Sequence, residues 1–123
     1  MLRCATVALL ATVMLPAFAQ QRPFPATALR GELTVTQPPA VMLNNQPARL
    51  APGARIRGEN NLLVLSGTIA NQPLVVNYTI DSYGLLLDVW VLTPTERAKQ
   101  PWPRTPSEAA TWRFDPNAQT WSR

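Results

Sequence analysis

Prolines interrupt this chain so often that no long helix can form. Thirteen are present, and all but Pro16 lie beyond residue 19, spread between apolar runs. Proline lacks an amide hydrogen and its ring clashes with the preceding turn. Each one therefore ends a helix, starts one, or sits in a turn or at a strand edge. What remains available is a succession of short strands and loops.

Apolar alternation marks where the strands lie. It is clearest in PLVVNYTIDSYGLLLDVWVLTP, residues 73–94. Leu74, Val76, Tyr78 and Ile80 share one face, and Asn77, Thr79 and Asp81 the other. DSYG turns the chain, with Gly84 suited to the left-handed conformation that closes a short hairpin. On the return arm Leu85, Leu87, Val89 and Val91 form the expected buried row, opposite a mixed row of Leu86, Asp88, Trp90 and Leu92.

Upstream, Leu33 and Val35 alternate with polar neighbours, and AVML is followed by Asn44-Asn45, a pair that tolerates a tight hairpin turn. QPARL returns. Pro52-Gly53 reads as another turn, Ile56 points inward between Arg55 and Arg57, and 58–61 is a turn cluster. LLVLSGTI, 62–69, reads as a strand bent at Gly67. Six or seven such strands predict a mainly β fold: a small antiparallel barrel of the OB or SH3-like kind, with a small sandwich as the alternative. The expected core is Ile56, Leu63, Leu65, Val76, Tyr78, Ile80, Leu87, Val89 and Val91.

The chain opens MLRCATVALLATVMLPAFAQQ. Arg3 precedes an apolar run over 5–15, Pro16 breaks it, and Ala17-Phe18-Ala19 offers small residues where a signal peptidase reads. A signal peptide over 1–19, cut after Ala19, is expected. The run is shorter than the roughly 20 apolar residues that cross a bilayer, so no stable span is expected after cleavage. Cys4, the one cysteine, leaves with it. The exported chain then has no thiol for a disulfide or for nucleophilic chemistry. Removing Arg3 lowers the 11 basic residues by one, against 7 acidic. So small an excess serves solubility first, although it also favours anionic partners. Residues 20–28 read as a loose, polar leader, 29–92 as the barrel, and 93–123 as a proline- and tryptophan-rich segment packed on it.

That last segment repeats T-P-x-E, in TPTE at Thr93 and TPSE at Thr105. The threonine suits a helix N-cap, the proline the first helical position, and the glutamate the reciprocal bond of a capping box. Short helices over 94–99 and 106–112 follow, with Pro101 and Pro103 stopping the first. Trp102, Trp112 and Trp121 lie between and beyond them, and Trp90 is the expected landing place for the segment. The indoles either plug the barrel or line a binding surface.

Histidine is absent. With cysteine gone too, the usual general base, the strongest nucleophile and the common zinc ligands are all missing. No phosphate-cradling glycine loop or calcium-loop spacing occurs, so no cofactor and no metal are expected. A hydrolase built on a carboxylate pair such as Asp81 with Asp88 needs a separation that nothing in the sequence sets, and Asp81 suits a turn. The chain reads as a non-enzyme. Nucleic acid is not an expected partner, because Arg49, Arg55 and Arg57 lack interleaved aromatic residues.

Residues 48–121, through ARLAPGARIRG, VNYTID…DVWVLTP and WPRTPSEAATWRFDP, resemble a set of uncharacterised small exported proteins of Gram-negative bacteria. The resemblance implies a periplasmic address and a shared fold, and it transfers no activity or functional residue. A fainter likeness to exported OB-like domains points the same way. Two functions fit these readings. One is a non-catalytic envelope module that binds an envelope protein or an anionic envelope polymer, or serves a structural role. The other is a binder of a small molecule, glycan or lipid in a tryptophan-lined cleft between barrel and tail. Candidate contact residues are Arg49, Arg55, Arg57, Trp102, Arg104 and Trp112.

Overall fold

The computed structural model describes residues 22–123. The expected signal peptide and the first two residues of the leader lie outside the described residues. Five strands close into a barrel: β1 (Leu29–Val35), β2 (Ala40–Leu43), β3 (Gln46–Arg57), β4 (Pro73–Ile80) and β5 (Leu86–Val91). Their spatial order is β1-β2-β3-β5-β4, with β4 paired back onto β1. The closed barrel is the expected fold class, and closure sets the sandwich aside. Four seams are antiparallel, but β5 runs parallel to β3. This seam is forced by order: β4 occupies the place beside β1, so β5 reaches β3 in the same direction as β3. Such a five-stranded Greek-key barrel is of the OB kind.

Inside lie Leu29, Leu33, Val35, Val41, Leu50, Ile56, Val76, Tyr78, Leu86 and Val89. Leu33 faces Leu43 on one side and Leu74 on the other, so β1 joins both halves of the wall. Asn44 and Asn45 close the β2–β3 hairpin with φ of 51° and 63°.

Two bulges account for most departures from strict alternation. On β5, Val89 faces Tyr78 and Leu86 faces Ile80, so Leu87 and Asp88 together oppose Thr79. The extra residue reverses the parity of the strand. Leu86 therefore points inward, and Leu87, expected in the core, is 39% exposed. Ile80, also expected inside, sits past the bulge at the strand end and is 44% exposed. Val91 is partly buried against the core. On β3, Leu50 faces Leu86 and Arg55 faces Asp88, so 51–54 bows out of the sheet. Pro52-Gly53 is thus no chain reversal. It is a bulge within one twelve-residue strand, with Gly53 at φ +77°.

The expected strand over 62–69 does not form. Leu63 makes a single bridge to Arg57, Ser66–Ile69 winds into a 3-10 turn, and Ala70 bridges Val35. The segment spans the gap that short β2 leaves between the ends of β1 and β3. Only Val64 and Ile69 pack on the barrel core. Leu63 and Leu65, expected inside, face water instead, because the gap admits one side chain at each end of the segment.

Both T-P-x-E motifs start helices, α1 (Pro94–Arg97) and α2 (Pro106–Thr111), each ending slightly earlier than expected. At α1 the box is complete: the Glu96 amide donates to Thr93 Oγ1 at 3.2 Å, and the Thr93 amide donates to Glu96 Oε1 at 2.9 Å. At α2 the Glu108 amide bonds the Thr105 hydroxyl, which in turn donates to the Glu108 carboxylate at 3.4 Å. A small hairpin follows, β6 (Arg113–Asp115) with β7 (Thr120–Ser122).

A second core lies outside the barrel wall. Phe24, Ala28, Leu92, Trp102 and Trp121 are its buried members, with Val75, Trp90, Ala109, Trp112 and Phe114 packed around them. Trp90 packs against this cluster, and the ring that meets it edge-on, at 5.5 Å, is Phe24 of the N-terminal segment. Residues 22–28 are therefore not a loose leader. Phe24 is 5% exposed and its amide donates to Gln119 Oε1 at 2.8 Å. The polar composition of that stretch conceals one phenylalanine and one arginine whose partners lie 36 to 95 residues along the chain.

Candidate functional site

The six expected contact residues divide between two regions. Trp102 belongs to the second core: its indole N–H donates to the Ala28 carbonyl at 3.0 Å, and Trp121, Phe114 and Phe24 surround the ring. Trp112 is half-buried at the end of α2, with the Arg123 guanidinium 5.2 Å over its ring. Arg104 is exposed just beyond Pro103. The cleft that does separate tail from barrel holds about 360 Å³ and is lined by Ala26, Leu29, Ile80, Pro106 and Ala109 among others, with no tryptophan. Trp121 instead borders an open hollow of about 570 Å³ within the tail, beside Gln100, Pro101, Ser122 and Arg123, while its ring packs on Trp102.

Beneath this core lies a network of buried charge that sequence reasoning missed. Arg22 donates to both oxygens of Glu96, to the Gly58 carbonyl at 2.8 Å and to the Val91 carbonyl at 2.7 Å. Arg30, from β1, donates to Asn77 Oδ1 and to the carbonyls of Glu96, Arg97 and Lys99, where α1 ends and its carbonyl dipoles point. Its guanidinium lies 4.9 Å from the Trp102 ring centre. Burial pulls the Arg30 pKa down to about 10, opposed by the Glu96 charge. Burial alone would raise the Glu96 carboxyl, but hydrogen bonds from Arg22 and the Thr93 amide outweigh it and hold the group below its ordinary value. Burial pushes the Tyr78 phenol up. These groups serve one another. Every guanidinium and carboxylate here has its partner inside the protein, which makes the network a clamp between N-terminal segment, barrel and tail.

Arg49, Arg55 and Arg57 are placed differently. All three lie on β3, where Arg49 faces Ala40, Arg55 faces Asp88 and Arg57 faces Trp90. Arg49 and Arg55 are exposed and Arg57 is half-buried. Among the described residues the ion pairs are those of Arg22 with Glu96 and Arg97 with Glu59, so the three β3 guanidinium groups have no carboxylate partner.

The bulge in β3 shapes the surface around Arg55. On one side a groove of about 270 Å³ runs between the cis Pro38-Pro39 corner, the bowed 51–54 segment, and Val64 and Leu65 of the next loop. On the other a smaller hollow of about 240 Å³ is lined by Gly53, Arg55, Leu87 and Asp88. Gly53 borders both, so the bulge stands between the groove and the charged hollow. Asp88 also takes part in a cross-strand bond with Thr79 at 3.5 Å, and Asp81 accepts the amides of Tyr83 and Leu85 in the hairpin turn at 2.8 and 3.0 Å. Of the groove, the sequence reading held Arg55 alone. Pro52-Gly53 inside an otherwise strand-like run was the signal for the rest, since a glycine there marks a bulge as readily as a turn.

Compared with protein-family models, with curated proteins and with solved structures, the chain returns no match.

Proposed function

We propose that this chain is an exported, non-catalytic binding module of the periplasm, which engages an envelope protein or an anionic envelope polymer on the outer face of β3. One observation carries the reading: the tail packs on the outer side of β4 and β5 at Val75 and Trp90, whereas the bulge in β3 is flanked by a largely apolar groove and by a hollow holding Arg55, which has no carboxylate ion pair among the described residues. A guanidinium across the bulge from such a groove gives orientation to an extended ligand that the groove holds by area. OB-type barrels use the face around strands 2 and 3 and its flanking loops for extended ligands, a likeness of fold alone.

Capture from a detergent-solubilised envelope extract tests it, with the chain from Gln20 onward immobilised. The wild-type chain is expected to retain a discrete component that Arg55→Glu loses and Arg104→Glu keeps. Equal recovery by all three would count against the β3 face.

A further inference from the structure

The loop after β3 exposes more apolar surface than the barrel requires. Within 58–65, Val64 turns inward to the core, while Leu62, Leu63 and Leu65 stay 65%, 66% and 78% exposed. Three leucines within four positions left in water concentrate exposed apolar surface on one loop, the kind of surface that interaction sites use. Leu62 ends a turn closed by the Gly58 amide on its carbonyl at 2.9 Å, Leu63 and Leu65 follow it, and Leu65 also borders the groove beside β3.

Charge supplies the second argument. Arg57 bridges Leu63 directly, and Arg55 lies two residues back on the same strand. Neither has a carboxylate partner among the described residues, and the loop's own carboxylate, Glu59, sits 3.9 Å from Arg97. An apolar tip backed by free cations is the layout that lies in the headgroup–acyl boundary of an anionic bilayer. We propose that this loop inserts Leu62, Leu63 and Leu65 into the surface of a bilayer containing anionic lipid, with Arg55 and Arg57 on headgroup phosphates. The inference rests on reading the β3 face as a binding surface, and it names a bilayer as the partner.

Vesicle flotation tests it with the chain from Gln20 onward, which carries the whole described barrel and tail and none of the apolar leader. Vesicles of phosphatidylglycerol with phosphatidylethanolamine are expected to retain the protein, and vesicles of phosphatidylcholine alone are not. The triple variant Leu62→Ser, Leu63→Ser, Leu65→Ser is expected to lose about tenfold or more in retention, with an unchanged circular dichroism spectrum. Because no cysteine remains in that chain, an environment-sensitive dye on Leu63→Cys reads insertion directly. It should shift to the blue on anionic vesicles, and the same dye on Asn117→Cys should not. Vesicle binding that survives the triple variant overturns the proposal. No vesicle binding, alongside an envelope component still captured through Arg55, overturns the bilayer and leaves the β3 surface standing. Loss of both removes both.

Discussion

Inside the barrel the packing is aliphatic apart from Tyr78, and its members are found by counting twos along each strand: Leu33, Val35, Val76, Tyr78. On the outer wall it is aromatic, and its members come from the two ends of the chain, Phe24 against Trp102 and Gln119 holding the Phe24 backbone. The first core follows from local periodicity. The second depends on chain ends meeting, and it is sealed by charges that would be costly to bury singly. Arg22, Arg30 and Glu96 tie N-terminal segment, barrel wall and tail at one place. The pairing of these cores has a functional consequence: with one wall covered and the arginines beneath it spoken for, the β3 face and its arginines are what the barrel presents.

Breaking the clamp should do the most damage. Glu96→Gln leaves Arg22 buried without its counter-charge and is expected to cost about 3–5 kcal/mol in urea unfolding. The pH dependence carries its own sign. The Glu96 carboxyl titrates lower in the folded protein, so its contribution is complete above its ordinary value of 4.5 and is lost as pH falls through the lower folded value. Wild type should weaken across that acid window more steeply than the glutamine variant.

Next come the rings. Trp102→Ala should cost about 3–5 kcal/mol, a match for the 2–5 expected of Leu33→Ala inside the barrel. Were Trp102→Ala nearly neutral, the outer aromatic cluster would be a covering and not a core. Trp102→Phe keeps the ring contacts but strands the Ala28 carbonyl, at about 1–3 kcal/mol. Gly53→Ala meets no neighbour within 4 Å yet must hold φ +77°, so about 1–2 kcal/mol of backbone strain is expected by thermal melting. Smallest of all is Leu87→Ser, within about 0.5 kcal/mol, although strict alternation would bury it; Val89→Ala on the same strand should cost severalfold more.

These last two mark the limit of what the sequence made legible. The β4–β5 hairpin, the Asn44-Asn45 turn and both threonine caps follow from local chemistry and are found in place. Leu87 and Ile80 escape strict alternation because the β5 bulge changes parity without leaving a residue signature, and Leu63 and Leu65 because the strand-like run 62–69 makes only single bridges, at Leu63 and at the following Ala70, to the strands it spans. Pro52-Gly53 signals the bulge but not the groove beside it, because Pro38, Gly53 and Leu65 come from three segments that only the fold brings together. Arg22 and Glu96 read as a leader residue and a helix cap. Nothing short of the fold pairs them.

All four tryptophans lie in or against the outer core, so indole fluorescence reports that core while far-ultraviolet circular dichroism follows the barrel strands. Urea unfolding of the chain from Gln20 onward, monitored by both signals, tests most directly whether the two cores form one cooperative body. The expected result is coincident transitions with a single midpoint. A fluorescence transition completed at lower urea, with the dichroism of the barrel still intact, would show the tail detaching by itself and would contradict the clamp.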